Sequence, residues 1–315
     1  MADLRFLMEM IPVPFTGDLA YDEPMSRHTT FRVGGPADLW VRPRGEGFPE
    51  FAAALLGTAR SRGVPVFILG GGANLVIADR GIRGIVLDTS GWTGWEFGEG
   101  TGGDRYVKVR SGTAVDAAAE AAAAAGLSGM EFLAGMPGSA GGAVWMNARC
   151  YERSVSDLLT ETGILDEALK PLALPFDAAD FGYKKSPFQN REILILSAQF
   201  TLKPRPPEEI YREMADHRRD RKEKGHYRFP SAGSAFKNNR AFGKPTGKII
   251  DELGLRGFAV GGAAVAPFHG NIIINTGTAT AADIRALTEE LILRVEAALN
   301  ITLEPEILFT GDWSC

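Results

Sequence analysis

Apolar positions along this chain fall into short runs that switch between strand and helix spacing. The turn Gly34-Gly35-Pro36 leads into an apolar strand, Ala37–Val41, and Pro49–Ser61 then has helical spacing. Val64–Leu69 is a β-branched and aromatic run that stops abruptly at Gly70-Gly71-Gly72. Further strands are expected at Leu75–Ala78, Gly84–Leu87 and Tyr106–Arg110, with a surface turn over residues 91–104, rich in Gly, Trp and Thr. The alanine run Ala117–Ala125 reads as a buried helix, with Thr113 and Asp116 as its capping box and Gly126 as its end. Residues 160–202 read as strands around a proline-rich turn. A linker is expected at Lys203-Pro204-Arg205-Pro206-Pro207, followed by a charged helix from Glu208 to about Lys224. Helix Gly243–Leu253, strands near Val260 and Ile272, and a last helix complete the chain. That helix is capped by Thr280 and Asp283 and carries the stripe Ile284, Leu287, Leu291, Val295, Leu299. Strands alternating with helices imply an α/β architecture.

The length of 315 residues fits about two domains. A hydrophobic share of 45% with 23% charged residues is ordinary for a soluble globular protein. The net charge of −5 argues against a nucleic-acid partner. Two cysteines, Cys150 and Cys315, give no disulfide framework and fit a reducing, cytoplasmic setting. The first apolar run, Leu7–Phe15, is broken by Glu9 and two prolines, so no signal peptide is expected, and with no stretch of about 18 uncharged apolar residues no membrane span is expected either. No His/Cys/Asp/Glu group has metal-ligand spacing, so no metal is expected.

Two glycine clusters carry the candidate chemistry. The first, Gly70-Gly71-Gly72-Ala73-Asn74-Leu75, follows a strand. Its amides can form a nest for phosphate oxygens. A strand rather than a helix follows, which disfavours a Rossmann site. A tight hairpin turn is the plain alternative. The second cluster, Ala134 to Ala143, is long and apolar, suited to packing against a ring system or a pyrophosphate, or to a crossing of two strands. Two such loops in one half of the chain point to a dinucleotide cofactor.

Several motifs then match one family. They are Thr29-Thr30-Phe31-Arg32-Val33-Gly34-Gly35-Pro36-Ala37, LGGGANL and AGMPGSAGGAVWMNA, then Pro230-Ser231-Ala232-Gly233-Ser234-Ala235-Phe236-Lys237. Gly261-Gly262-Ala263-Ala264-Val265 with His269, and Leu303-Glu304-Pro305-Glu306, complete the set. In order and over nearly the whole chain, the sequence resembles the UDP-N-acetylenolpyruvoylglucosamine reductase family, in the shorter of its two types. The resemblance implies a PCMH-type (vanillyl-alcohol-oxidase-like) FAD-binding domain over residues 1–204, in two α/β subdomains of about 1–90 and 91–204. A smaller α+β substrate-binding domain would occupy residues 205–315. It also implies non-covalent FAD, NADPH as co-substrate, and reduction of the enolpyruvyl group of a UDP-sugar to UDP-N-acetylmuramate.

By the same resemblance, FAD would be held by Gly70, Gly71, Gly72, Ala73, Asn74, Leu75, Gly135, Pro137, Gly138, Ser139, Gly142 and Ala143. Ser234 matches the family's proton donor and Glu306 its catalytic carboxylate. Tyr183, Lys237, Arg218 and His269 would face the substrate. Three departures stand out. Lys184 occupies the place of an arginine that contacts the substrate carboxylate; lysine keeps the charge and loses the two-pronged hydrogen bonding. Gly225-His226 replaces Gln-Pro at the end of a basic stretch, His217–His226, that could face the sugar's diphosphate or the NADPH phosphates. Arg149-Cys150 stands where small residues are common.

Plainer readings compete at each position. Ser234 could cap a turn. Period-two alternation from Ile301 to Phe309 would put Glu304 and Glu306 on one face, and a solvent face is the plain alternative. Lys184 and Lys185 could be a solvated pair on opposite faces of an edge strand. Arg218 and its neighbours could be a charged helix surface. Two other functions stay open: another flavin oxidoreductase of the same superfamily, which need not carry PSAGSAFK, and a catalytically weak UDP-sugar sensor, favoured only by Lys184.

Overall fold

The computed structural model describes residues 4–100 and 104–314. Cys315 and residues 101–103 of the expected 91–104 turn lie outside the described residues. The chain divides into two compact units. The first holds Met1–Tyr21, Leu39–Gly71 and Gly84–Arg219; the second holds Asp22–Asp38, Gly72–Arg83 and Asp220–Cys315.

A four-stranded sheet runs in the order Gly17–Pro24, Pro36–Pro43, Ile82–Asp88, Val66–Leu69. The last two strands are parallel, with Leu69 opposite Asp88. Helix Phe48–Ser61 buries Phe48, Phe51, Ala52, Leu55 and Ala59 on one stripe, against Leu39, Val41, Ile85 and Leu87. The spacing of three and four residues is what puts those side chains on one face.

The rest of the first unit is built on an antiparallel sheet in the order Pro171–Pro175, Leu159–Leu165, Leu194–Pro204, Arg105–Arg110, Trp95–Glu99. The expected turn over 91–104 is therefore partly a strand, because Trp95–Glu99 finds a partner in Arg105–Arg110. Helix Val115–Ala124 buries Val115, Ala118, Ala119, Ala122 and Ala123. It ends at Gly126, whose φ is +68°. Its start differs from the sequence reading. The Thr113 hydroxyl is engaged with Gly94 instead of capping, and the Asp116 carboxylate accepts from Gly135 N–H and from Arg218.

The linker expected at 203–207 is not one. Strand Leu194–Pro204 runs into it, and helix Pro207–Glu223 starts at its end. Ile210 and Met214 of that helix belong to the first unit's core, so the division falls after Arg219, with two earlier segments assigned to the second unit. A change in surface composition marks no change in which core the helix buries.

In the second unit, strands Ala259–Val260, Ala263–Val265 and Ile273–Asn275 form a small antiparallel sheet. Leu75–Ile77 pairs in parallel with Leu308–Thr310. Helix Ala281–Leu299 buries Ile284, Leu287, Leu291 and Val295, as the stripe predicts, while Leu299 is exposed. Thr280 and Asp283 form the expected capping box. The Asp79 carboxylate adds a second cap, accepting from the N–H groups of Ala281 and Ala282 at 2.8 and 2.9 Å. Among the described residues, no helix is long and apolar enough to cross a membrane.

Candidate functional site

In the first unit, the two glycine loops lie backbone to backbone. A Cβ on Gly71 would stand 2.6 Å from Gly138 Cα and 2.8 Å from Ser139 N; on Gly70 it would meet Ser139 Oγ at 2.6 Å. Glycine is needed there because no side chain fits. Ser139 caps the short helix Ala140–Trp145, and its hydroxyl accepts from Gly71 N–H at 3.2 Å and Gly142 N–H at 3.3 Å. Gly71, Pro137 and Gly142 remain exposed around this junction, and Ala143 is buried behind it. Gly135 and Gly138 take left-handed φ values of +71° and +116°. Gly135 also donates to Asp116 at 2.8 Å. The result is a ledge of exposed backbone without side chains. A dinucleotide's pyrophosphate fits such a surface, since amides can approach its oxygens and no Cβ blocks the way.

Lys184 is not on a strand. Gly182 and Lys185 bond each other's backbones at 3.1 Å, and Lys184 sits in the turn with φ +57°. That turn is fastened to the second glycine cluster. Asn147 donates to Gly182 carbonyl at 2.8 Å, while Ser186 Oγ and Gln189 Nε2 donate to Trp145 carbonyl. Lys184 is half-buried and Tyr183 exposed. Arg218 does not face open space: its guanidinium meets Asp116 at 2.6 Å and Glu120 at 2.5 Å. Both carboxylates project from helix Val115–Ala124, so Arg218 ties two helices of the first unit together. The Cys150 thiol donates to Phe132 carbonyl. Nothing in the structure explains why Arg149-Cys150 replaces smaller residues.

In the second unit, Ser234 and Glu306 lie on neighbouring backbone. Phe236 bridges Pro305, Ser234 bridges Ile272, and Glu306 N–H donates to Ala235 carbonyl at 2.8 Å. Asn74 secures the other side: its Nδ2 donates to Glu306 carbonyl at 2.9 Å. Glu306 is 8% exposed, whereas the side chain of Glu304 is 67% exposed and binds Lys237 at 2.5 Å. Strict alternation over 301–309 fails because only Leu308–Thr310 is a regular strand. The buried acid and the exposed one are thereby separated. Lys237 is half-exposed and spends its charge on Glu304.

Other residues of the first cluster also have structural work in this unit. Gly72 has φ +60°, and a Cβ there would collide with His28 carbonyl. Leu75 pairs with Leu308. Ala73 is half-buried between them.

Ser234 lines a pocket of about 300 Å³ together with Asn238, Lys248, Arg256, His269 and Asn271. Asn238, Lys248, Arg256 and Asn271 had no distinguishing signal in the sequence; folding alone brings them beside the PSAGSAFK segment. His269 Nδ1 accepts from Asn271 N–H at 3.1 Å, which leaves its other nitrogen to carry the proton of the neutral ring. The His226 ring lies 6.1 Å from it, centroid to centroid. Burial is the first cause that pushes both imidazoles down, that of His226 to about 4; Arg221 and then His269 and Lys224 add to the effect at His226, against Asp220. Arg221 is itself buried, with its Nε unpartnered.

A pH prediction follows. The unfolded chain binds more protons than the folded one between pH 6.5 and about 4, so stability rises with pH in that window. His226 contributes fully above its unfolded value of 6.5, and the contribution is lost as pH falls toward about 4. Thermal melts of wild type and His226→Gln should converge on acidification from pH 7 to 5. A gap that widens on acidification would contradict the burial of a neutral ring.

Two family models match the chain. The family model described as FAD binding domain matches residues 49–168. That described as UDP-N-acetylenolpyruvoylglucosamine reductase, C-terminal domain, matches residues 225–310. The chain is similar to the UDP-N-acetylenolpyruvoylglucosamine reductase of Treponema denticola, 37% identical, covering 99% of this chain and 100% of that one. It is likewise 37% identical to the reductase of Borreliella burgdorferi, covering 98% and 97%. The crystal structure of the corresponding reductase (MurB) from Thermus caldophilus superposes with a TM-score of 0.75 at 32% identity, covering 94% of this chain and 99% of that one. Identity at this level over the whole length, with both motif-bearing segments matched, shows that the chain belongs to the UDP-N-acetylenolpyruvoylglucosamine reductase family.

Proposed function

We infer that this protein reduces UDP-N-acetyl-3-O-(1-carboxyvinyl)-glucosamine to UDP-N-acetylmuramate, a step of peptidoglycan precursor synthesis, consuming NADPH. FAD, bound without a covalent link, would supply the enolpyruvyl double bond with a hydride that NADPH provides. The observation that carries this reading is the backbone junction of Ser234 and the buried Glu306.

Each residue's part follows from the charge that develops. Hydride addition to the terminal carbon of the enolpyruvyl ether leaves an enolate-like dianion on the adjoining carbon and its carboxylate. Ser234 gives its hydroxyl proton to that carbon. A serine hydroxyl is a weak acid, but an enolate carbon is basic enough to take its proton when the geometry is fixed. Glu306 arranges the enol. Lys184 supplies positive charge to the substrate carboxylate, where preorganised charge lowers the barrier most. Tyr183 and His269 contact the substrate, and the Lys237 ammonium is paired with Glu304. Arg218 has no part, since its guanidinium is taken by Asp116 and Glu120. Gly70–Leu75, with Gly135, Pro137, Gly138, Ser139, Gly142 and Ala143, would hold the flavin. In functional terms the first unit carries most of the cofactor-holding residues and the second carries Ser234, Glu306 and His269. A cytoplasmic location fits the nucleotide-sugar substrate and NADPH.

Steady-state NADPH oxidation tests the reading. Rapid oxidation that depends on the enolpyruvyl UDP-sugar is expected. Flavin reduction indifferent to the sugar would point to another flavin oxidoreductase, and sugar binding without turnover to a sensor. In the same assay Lys184→Arg should keep or raise activity, because arginine restores two-pronged carboxylate binding. Lys184→Ala should lower it tenfold or so, a loss of about 1.4 kcal/mol of transition-state stabilisation; unchanged activity there would remove Lys184 from the site.

A further inference from the structure

We propose that Asn271 is a positioning residue for the Ser234 hydroxyl: its buried carboxamide fixes the backbone that carries this serine. The proposal rests on the reading of Ser234 as proton donor. The Ser234-Ala235-Phe236 segment belongs to no regular sheet and is held by two isolated bridges, to Ile272 and to Pro305. Asn271 supplies the fastening that a neighbouring strand would otherwise give. Its main-chain carbonyl accepts from Ala235 N–H at 2.8 Å. Its Oδ1 accepts from Phe236 N–H at 2.9 Å, and its Nδ2 donates to Phe236 carbonyl at 2.8 Å. Only this orientation of the amide satisfies both groups of Phe236, so the chemistry sets it.

Asn271 is 2% exposed, and Phe236 is buried, so losing the amide would strand a buried N–H and a buried carbonyl. The segment would have to shift to rehydrate them. Because Glu306 N–H hangs on Ala235 carbonyl, the same shift would carry the acid with it. The asparagine thus controls the placement of both groups without spending either end of its amide on substrate. A misplacement of about 1 Å at a reacting group costs on the order of 100-fold in rate.

Asn271→Asp tests this in the flavin-loaded enzyme. The carboxylate still accepts from Phe236 N–H but sets its second oxygen against Phe236 carbonyl. Burial and that carbonyl both push the new carboxyl's pKa up. Once protonated, it donates to the carbonyl and reproduces the amide. Charged or titrating groups on the elements that line the same pocket are His269 on its own loop, Lys248 and Asp251 on helix Thr246–Glu252, and Arg256 beyond that helix. Each rate is therefore divided by the wild-type rate at the same pH.

The expected result is a second half-reaction slowed about 10- to 100-fold at neutral pH, recovering toward wild type as pH falls. Flavin reduction by NADPH and the affinity for the UDP-sugar should stay unchanged. Asn271→Ala, which adds no titrating group, should be slow at every pH with the same intact first half-reaction. Asn271→Asp that tracks wild type at every pH, or variants that slow both half-reactions equally, would overturn the positioning role. Ser234→Ala is run alongside. If it leaves the second half-reaction untouched, the proton-donor reading falls and the proposal with it. If it is slow while Asn271→Asp tracks wild type, the positioning role alone falls.

Discussion

Ser234→Ala should leave reduction of the bound flavin by NADPH nearly intact and slow transfer to the enolpyruvyl UDP-sugar by roughly 10²–10⁴-fold, the usual worth of a positioned general acid. The asymmetry comes from where the proton is needed. Taking a hydride from NADPH calls for no proton at the substrate carbon. Completing the lactyl ether does. The bridges to Ile272 and the junction with Glu306 involve backbone atoms of 234–236, so deleting one hydroxyl leaves them in place. Rapid mixing separates the two halves through flavin absorbance. Equal slowing of both would mean that the substitution disturbs flavin binding or folding, and would remove Ser234 from proton transfer.

Gly71→Ala should yield protein that holds FAD weakly. The added Cβ would stand within 2.8 Å of three backbone atoms of Gly138 and Ser139, none of which can swing away as a side chain could. The two loops must part, and the exposed ledge between them is what the cofactor would occupy. Overpacking of this kind costs about 1–3 kcal/mol. If the flavin-bound form carries that cost, the dissociation constant for FAD rises by about 5- to 150-fold. Gly47→Ala is the control, since nothing lies within 4 Å of its Cβ position and its φ is −73°. Fluorescence titration of stripped protein with FAD measures both. Equal affinity in Gly71→Ala and wild type would show that the glycine contact does not shape the cofactor site.

What the sequence made legible was whatever depends on a residue's own chemistry and short-range spacing. The helix stripe from Ile284 to Val295 and the Thr280–Asp283 box are local, and both were readable. So was the need for glycine at 70–72 and 135–142, because the missing Cβ is a property of the residue. What that glycine packs against was not readable: Gly71 meets Gly138 across a chain separation no local pattern spans.

The misreadings share a cause. Asp116 looks like a helix cap by spacing, but Gly135 and Arg218 compete for its carboxylate and win. Glu304 and Glu306 look equivalent until a loop breaks the two-residue period and buries one of them. Lys184 and Lys185 read as an edge strand because nothing in a lysine side chain announces a left-handed φ. The proline-rich 203–207 segment looks like a boundary, yet the helix after it buries Ile210 and Met214 in the first core. Asn271 was invisible because an asparagine near a glycine usually marks a turn, and only the fold turns its amide toward Phe236.

If flavin on the glycine ledge passes reducing equivalents to an enolpyruvyl UDP-sugar with Ser234 and Glu306 in their proposed roles, holoenzyme reduced anaerobically with one equivalent of NADPH should be reoxidised on mixing with that sugar. The oxidised flavin spectrum should return rapidly, with one UDP-N-acetylmuramate formed per flavin. Flavin that stays reduced in the presence of saturating sugar would contradict this transfer.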